Sequence, residues 1–342
     1  MKADSRVIVM GLGVADVKGV FGTTSGLQDR FGRDRVFDIP LSENAMTGAA
    51  LGMAMMGIRP VFVHQRADFA FTAAEQIVNQ IAKTIFTTRG DYSVPIVIRM
   101  IIGRGWGQGP THAQAPHGFF ASVPGLRVVA PSGPRDAYCM LRNAIDDSNP
   151  VIFIEHRWLH DLSESDAGLD SILNAPYKAA ILRSGEDLTL IGVSYGFVEA
   201  ARLAGLLGEF GLDVELVDLR SISPLDTENL IRSINKTRRL AIVDIAAPNF
   251  SVGAELTRVT VELAWGRLLN FPLHLAPRFA PVPSSPKLAL GHYPRLEDMA
   301  VQVNRHFGFN LNEESLKTRC MEMNPPRTPL RDQPDLGQVG PF

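Results

Sequence analysis

The chain has 342 residues, 45% hydrophobic and 20% charged, an ordinary globular composition with core material for two domains of ~100–200 residues each. Its 34 basic and 36 acidic side chains leave a formal charge of −2, which removes the electrostatic case for nucleic acid or an anionic membrane surface. No apolar run reaches the roughly 18–20 residues that span a bilayer. No signal peptide precedes the first strand, and Cys139 and Cys320 share no metal or redox spacing. The expectation is a soluble protein in a reducing cytoplasm.

In chain order, residues 6–10 (RVIVM) read as a buried strand followed by Gly11-Leu12-Gly13. A dinucleotide fingerprint needs a third glycine where Asp16 stands, so that motif is rejected. A helix is expected over 25–30. A short apolar run, 36–39, then meets Pro40, and Glu43 stands where a helix rich in small residues begins. Gly48, Ala49, Ala50, Gly52 and Ala54 would let another backbone or a flat ligand come close. In open parallel sheets ligands bind beyond the carboxyl ends of the strands, which puts Glu43 within reach of one. An acid at that place equally complements a helix dipole. Residues 60–63 read as the next strand and 71–87 (FTAAEQIVNQIAKTIFT) as one long amphipathic helix. Residues 94–102 are too apolar for a half-exposed strand and suit a central one.

Residues 103–110 (GRGWGQGP) form a glycine loop without the Gly-Lys-Ser/Thr ending of a P-loop, so they are expected to wall a site; His112 and His117 follow. Strand 126–130, helix 134–146 and strand 151–155 continue an alternation that argues for a parallel sheet with helices on both faces. The pattern decays between about Leu159 and Ala179, then resumes with strands at 188–193, 214–218 and 240–244 and helices at 196–207, 226–234 and 253–263. From Asn310 periodicity is lost, and a proline-rich tail follows. The fold expected is α/β, two doubly wound domains with mostly parallel sheets. Their expected bounds are 1–165 and 181–309, with a linker at 166–180 and a tail at 310–342.

Five sequence blocks in order carry a resemblance: 40–45 (PLSENA), Asp68-Phe69 with 75–79 (EQIVN), 112–114 (HAQ), 124–129 (PGLRVV) and 148–151 (SNPV). In the second half 218–226 (DLRSISPLD) and 253–255 (GAE) continue it, so that it runs from about Arg6 to Phe307. Together they resemble the beta subunits of thiamine-diphosphate-dependent 2-oxo acid dehydrogenases, with a pyrimidine-binding domain and a transketolase-type C-terminal domain. The resemblance implies that Glu43 is the cofactor-activating glutamate. Its carboxyl would hydrogen-bond the far ring nitrogen of the aminopyrimidine and favour the imino form that removes the thiazolium C2 proton. It also implies Phe69 against the pyrimidine face and Gln65 beside the cofactor. His112 falls on the active-site histidine, able to donate to a developing oxyanion or move a proton. Without the resemblance Phe69 reads as core packing and His112 as a surface polar residue. Relatives carry a structural potassium site, which by position falls on main-chain groups of Ile96, Ala144, Ile145, Asp147 and Asn149; the plain alternative is a turn, since Asp-Asp-Ser-Asn-Pro is good turn chemistry.

The diphosphate-binding half of a thiamine enzyme is not seen, because Gly90-Asp91 is followed by Tyr92 rather than glycine. The resemblance therefore implies a separate alpha subunit holding the diphosphate and its Mg2+, an α2β2 assembly, a 2-oxo acid substrate, and a lipoyl acyltransferase or another acceptor. Departures from the family pattern fall at Leu12-Gly13, at Val63-His64-Gln65-Arg66 and at Ser122. His64 and Arg66 are expected to add positive charge near the site, which suits an anionic or polar substrate. Two other readings stand beside this one: the C-terminal subunit of a split transketolase, and a non-catalytic assembly paralogue.

Overall fold

The computed structural model describes residues 1–104, 107–160, 162–164 and 169–323. They divide into two compact units. One contains residues 1–102, 119–176 and 222–224; the other contains 103–118, 177–221 and the chain from 225 onward.

The first unit is built on a seven-stranded sheet. Its strands are β1 (Val7–Gly11), β2 (Val36–Phe37), β3 (Arg59–His64), β4 (Val97–Ile102), β5 (Arg127–Val129), β6 (Val151–His156) and β10 (Ser221–Ser223), in the order β10-β5-β6-β4-β3-β1-β2. The pairs β1–β2, β1–β3, β3–β4, β4–β6 and β5–β6 are parallel. Every residue of β4 is buried, as its uninterrupted apolar run predicts for a central strand. Helix Glu43–Met55 packs beside β3, and helix Pro134–Asp146 opens with Pro134 in its first turn, where a missing N–H is harmless.

The second unit holds a five-stranded sheet of β7 (Ala180–Arg183), β8 (Leu188–Gly192), β9 (Val214–Asp218), β11 (Leu240–Val243) and β12 (Leu273–Leu275), ordered β12-β11-β8-β9-β7. Only the β7–β9 pair among these is antiparallel. Its core joins Leu188 and Leu190 of β8 to Leu203 and Leu207 of helix Tyr195–Glu209 and Met299 and Val303 of helix Leu296–Phe307. Both units are α/β with mostly parallel sheets, as the alternation of strand and helix requires.

Three local expectations need correction. The single helix over 71–87 is a relay of a 3-10 turn (Phe71–Ala73), a π turn (Gln76–Ile81) and an α-helical end (Ala82–Thr87). The wide turn puts Ile77 and Ala82, five residues apart, both inside the core. Structure also continues beyond Asn310, as helix Glu313–Met323. Only Leu316 and Cys320 of that helix are buried, so its apolar period is too sparse to read. It is held by Arg319 on Glu209 and by Arg305 on Glu313. The linker region contains a further short helix, Leu169–Leu173, packed on helix Pro134–Asp146. The proline-rich end of the tail, 324–342, lies outside the described residues.

At Gly11, φ is +155°, and a Cβ there would stand 2.3 Å from the carbonyl oxygen of Val63. Gly11→Ala is expected to destabilise the chain by at least about 1–3 kcal/mol, read as a lower urea midpoint at unchanged m-value.

Candidate functional site

β2 lies on one side of β1 and β3 on the other, so the chain reverses its winding direction at β1. Such a reversal opens a crevice beyond the carboxyl ends of the strands. The residues that leave β1 and β3 line a cleft here: Leu12 after β1, and Phe62, Val63, His64 and Gln65 at the end of β3 and just past it. Ile39, Glu43 and Phe69 complete the wall. Three of the expected site residues, Glu43, Gln65 and Phe69, therefore share one cleft.

Local chemistry explains their placement. The Asp38 carboxylate accepts the amide of Ala15 at 3.1 Å, tying the turn after β1 to the segment after β2. Pro40 then lacks the N–H that would continue the ladder, and helix Glu43–Met55 starts directly after Ser42. Glu43 is the first residue of that helix, at its positive end, which suits the carboxylate. Its carboxylate makes no hydrogen bond or ion pair with any other described residue. Gln65 donates from Nε2 to the carbonyl of Leu12 at 3.0 Å, bridging the ends of β1 and β3. Phe69 comes from the short helix Ala67–Ala70 that follows β3.

His64 is buried edge-on to Phe62, with ring centroids 4.7 Å apart. Burial pushes its pKa down to about 4, so at neutral pH it carries no charge. The expectation that His64 adds positive charge is thereby corrected. Arg66 keeps its charge but is not among the residues that line the cleft. Burial lowers Arg66 to about 10, opposed by Asp68 and reinforced by the neighbouring Arg157, and it stays ionised at pH 7. The guanidinium carbons of Arg66 and Arg157 lie 4.5 and 5.4 Å from the centroid of the Phe21 ring. Phe21 adopts φ +48°, uncommon for an aromatic residue. This arrangement of two cations about one ring has no local sequence signature.

His112 belongs to the second unit with the loop 103–118. It is half-buried, its Nδ1 3.0 Å from the hydroxyl of Thr111. In the same unit His117 is fully buried. Burial lowers its pKa, against the raising influence of Asp244. Burial alone would raise Asp244, but His274, the Ala246 amide and His117 together hold it below the usual carboxylate range.

The turn after helix Pro134–Asp146 contains most of the main-chain groups expected around a potassium ion. Nη1 of Arg59 donates to the carbonyls of Ile145 at 2.5 Å and Asp147 at 3.0 Å. The Ile96 carbonyl accepts Val151 N at 2.9 Å. Asn149 donates from its backbone and side chain to Asp147 Oδ1. Among the described residues no group of three or more His, Cys, Asp or Glu side chains could hold a metal ion. A second cleft in this unit lies beyond β5 and β6 and is lined by His156, His160 and Pro134. Its one carboxylate, Glu155, is held by Arg99 through two 2.8 Å hydrogen bonds and is not available to a ligand.

The sheets and the cleft at β1 define a two-domain α/β protein of transketolase type. Residues 1–161 match "Transketolase, pyrimidine binding domain" and residues 177–293 match "Transketolase, C-terminal domain". The chain is 38% identical over 312 residues to "Pyruvate dehydrogenase E1 component subunit beta" of Leifsonia xyli, covering 90% of both chains. It is 36% identical over 306 residues to the Rhizobium meliloti protein of that name, covering 89% of this chain and 66% of the relative. It is 37% identical over 262 residues to "2-oxoisovalerate dehydrogenase subunit beta" of Bacillus subtilis, covering 77% and 80%. The solved structure "Split gene transketolase, inactive beta4 tetramer" superposes with TM-score 0.74 at 19% identity over 91% of this chain and 95% of that one, a likeness of fold. The chain belongs to the beta-subunit family of the 2-oxo acid dehydrogenases, which depend on thiamine diphosphate. No helix among the described residues is long and apolar enough to cross a membrane.

The buried neutral His64 makes stability depend on pH. Between pH 6.5 and about 4 the unfolded chain binds a proton that the folded chain refuses, so stability falls as the pH drops through that window. The expected slope is up to about 1.4 kcal/mol per pH unit, and His64→Gln should remove it from a series of denaturation curves.

Proposed function

We propose that this chain is the beta subunit of a thiamine-diphosphate-dependent 2-oxo acid decarboxylating dehydrogenase, working in the cytoplasm with a separate alpha subunit. The observation that supports it most is the unpartnered Glu43 carboxylate in a cleft with apolar walls at the winding reversal. An aminopyrimidine fits that chemistry, since it offers polar ring atoms to the acid and a flat face to Phe69. When bound, the cofactor supplies an acidic C2 carbon that adds to a 2-oxo acid and stabilises the charge left by loss of carbon dioxide. Glu43 would hold the far ring nitrogen and favour the imino form. Gln65, fixed on the Leu12 carbonyl, would present its remaining polar atoms at the cleft edge. His112 would donate a proton to the oxygen where charge develops.

The diphosphate and its Mg2+ would be held by the alpha subunit in an α2β2 assembly. The relatives' naming as beta subunits supports a partner, as does the exposed apolar residue Leu41, two positions before Glu43. The acyl unit would pass to a lipoyl acyltransferase or another acceptor. We place the two domains at about 1–165 and from 180 onward, the second including helix Glu313–Met323. The likeness to a split transketolase is one of fold, whereas the relatives at 36–38% identity are dehydrogenase subunits, which favours the decarboxylating reading. The retained Glu43, Phe69 and His112 weigh against a non-catalytic paralogue.

In the heteromer isolated with its alpha partner, Glu43→Gln should lower kcat by about 10²–10⁴-fold. It should slow deuterium exchange at the cofactor C2 while leaving cofactor affinity within a few fold (about threefold). Turnover of sugar phosphates alone, or no retention of thiamine diphosphate by the pair, would overturn the reading. Arg66→Ala should raise KM about tenfold or more for 2-oxo acids with an anionic side chain, measured in a substrate panel. An unchanged KM for every active substrate would remove Arg66 from recognition.

A further inference from the structure

A potassium ion does not fit the turn where the family pattern would put one. Helix Pro134–Asp146 is capped by the extended Asp147, and its last carbonyls carry the negative end of the helix dipole. A weakly held cation would coordinate such oxygens. Here the oxygens of Ile145 and Asp147 already converge on one nitrogen, Nη1 of Arg59. That side chain is only 14% exposed, and its Nε lies 3.9 Å from Asp4 Oδ2. An ion bound to the same two carbonyls would be forced against a fixed positive charge.

Several other groups of the turn are satisfied from within the chain. Asp147 Oδ2 pairs with Arg127 Nε at 3.1 Å, while Oδ1 takes the amide and side chain of Asn149. The carbonyls of Ser148 and Pro150 accept Val94 N and Arg127 N at 3.0 Å each. Two guanidinium groups thus do the electrostatic work: Arg59 on the main-chain oxygens and Arg127 on the carboxylate. A guanidinium suits this task because its planar donors stay charged at any accessible pH.

We propose that the Arg59 guanidinium is the built-in cation of this turn, so that the chain locks it to the start of β3 without binding a monovalent ion. The inference rests on the fold of the first unit and holds whether or not the chain acts on 2-oxo acids.

The test is made on the full 342-residue chain, compared in potassium chloride and choline chloride at equal ionic strength. Its readouts are the melting temperature and hydrogen exchange of the peptide covering residues 143–151. The melting temperature should agree within about 1 °C, because a ligand absent from the folded state cannot shift it. Exchange in that peptide should also be the same in both salts. Arg59→Met should melt at least about 4 °C lower and exchange faster over 143–151, with Arg59→Lys in between. Potassium-specific slowing of exchange over 143–151 in the wild-type chain would overturn the proposal. So would an Arg59→Met chain that melts with the wild type. Should the Met variant fail to fold, the wild-type comparison of the two salts still decides.

Discussion

The constraint on which the first unit depends is the close approach of β1 and β3 at their carboxyl ends. Parallel neighbours normally leave room for side chains at every position, but Gly11 runs against the Val63 carbonyl with no space for a Cβ. The strands can therefore stay paired to their last residues, with Gly11 opposite Val63 in the ladder. Because β2 lies on one side of β1 and β3 on the other, that tight end also marks the reversal where the crevice opens. The cleft is thus a consequence of winding, and its residues are those that happen to follow the strand ends.

Charge is handled differently in its different surroundings. In the core of the first sheet Arg99 donates from Nε and Nη2 to the two carboxylate oxygens of Glu155, which offsets the desolvation of the pair. In the second unit Arg104 stands 3.8 Å from Glu199 and 4.5 Å from the ring of Tyr293, anchoring the beginning of the glycine loop. Both arrangements fix scaffold. Glu43 is the contrast: an acid at a helix start, half-exposed, with nothing in the described chain to neutralise it. Beside these two pairs, the Glu43 carboxylate in its cleft has capacity to spare for a ligand.

Much of this was legible in the sequence because period and order are local properties. The apolar run of β4, the Pro134 helix start and the strand-then-acid arrangement at 36–43 each follow from neighbours along the chain. Other features were hidden for the same reason. The charge state of His64 depends on how deeply β3 is covered, which its neighbours in sequence do not reveal. The pairing of Arg66 and Arg157 about Phe21 joins three distant segments. Helix Glu313–Met323 buries only Leu316 and Cys320 in the core of the second unit, with exposed ion pairs at its flanks, so its period was too faint to register.

Arg59 connects these observations, because it is the first residue of β3 and the cleft begins at the last. Side chains on a strand alternate between faces, so a slip of one residue would exchange every inward group for an outward one. Such a slip would turn Phe62 and His64 away from their present packing and carry Gln65 off the Leu12 carbonyl. Main-chain pairing alone resists slippage weakly, since each register satisfies the same kinds of hydrogen bond. A guanidinium inserted between two carbonyls of a separate turn has one satisfying position, and β3 is six residues long, about 20 Å at ordinary strand rise. The Arg59 contact at the amino end of the strand thus adds to its buried side chains and to the Gly11–Val63 approach in holding the register that faces the cleft at the other end.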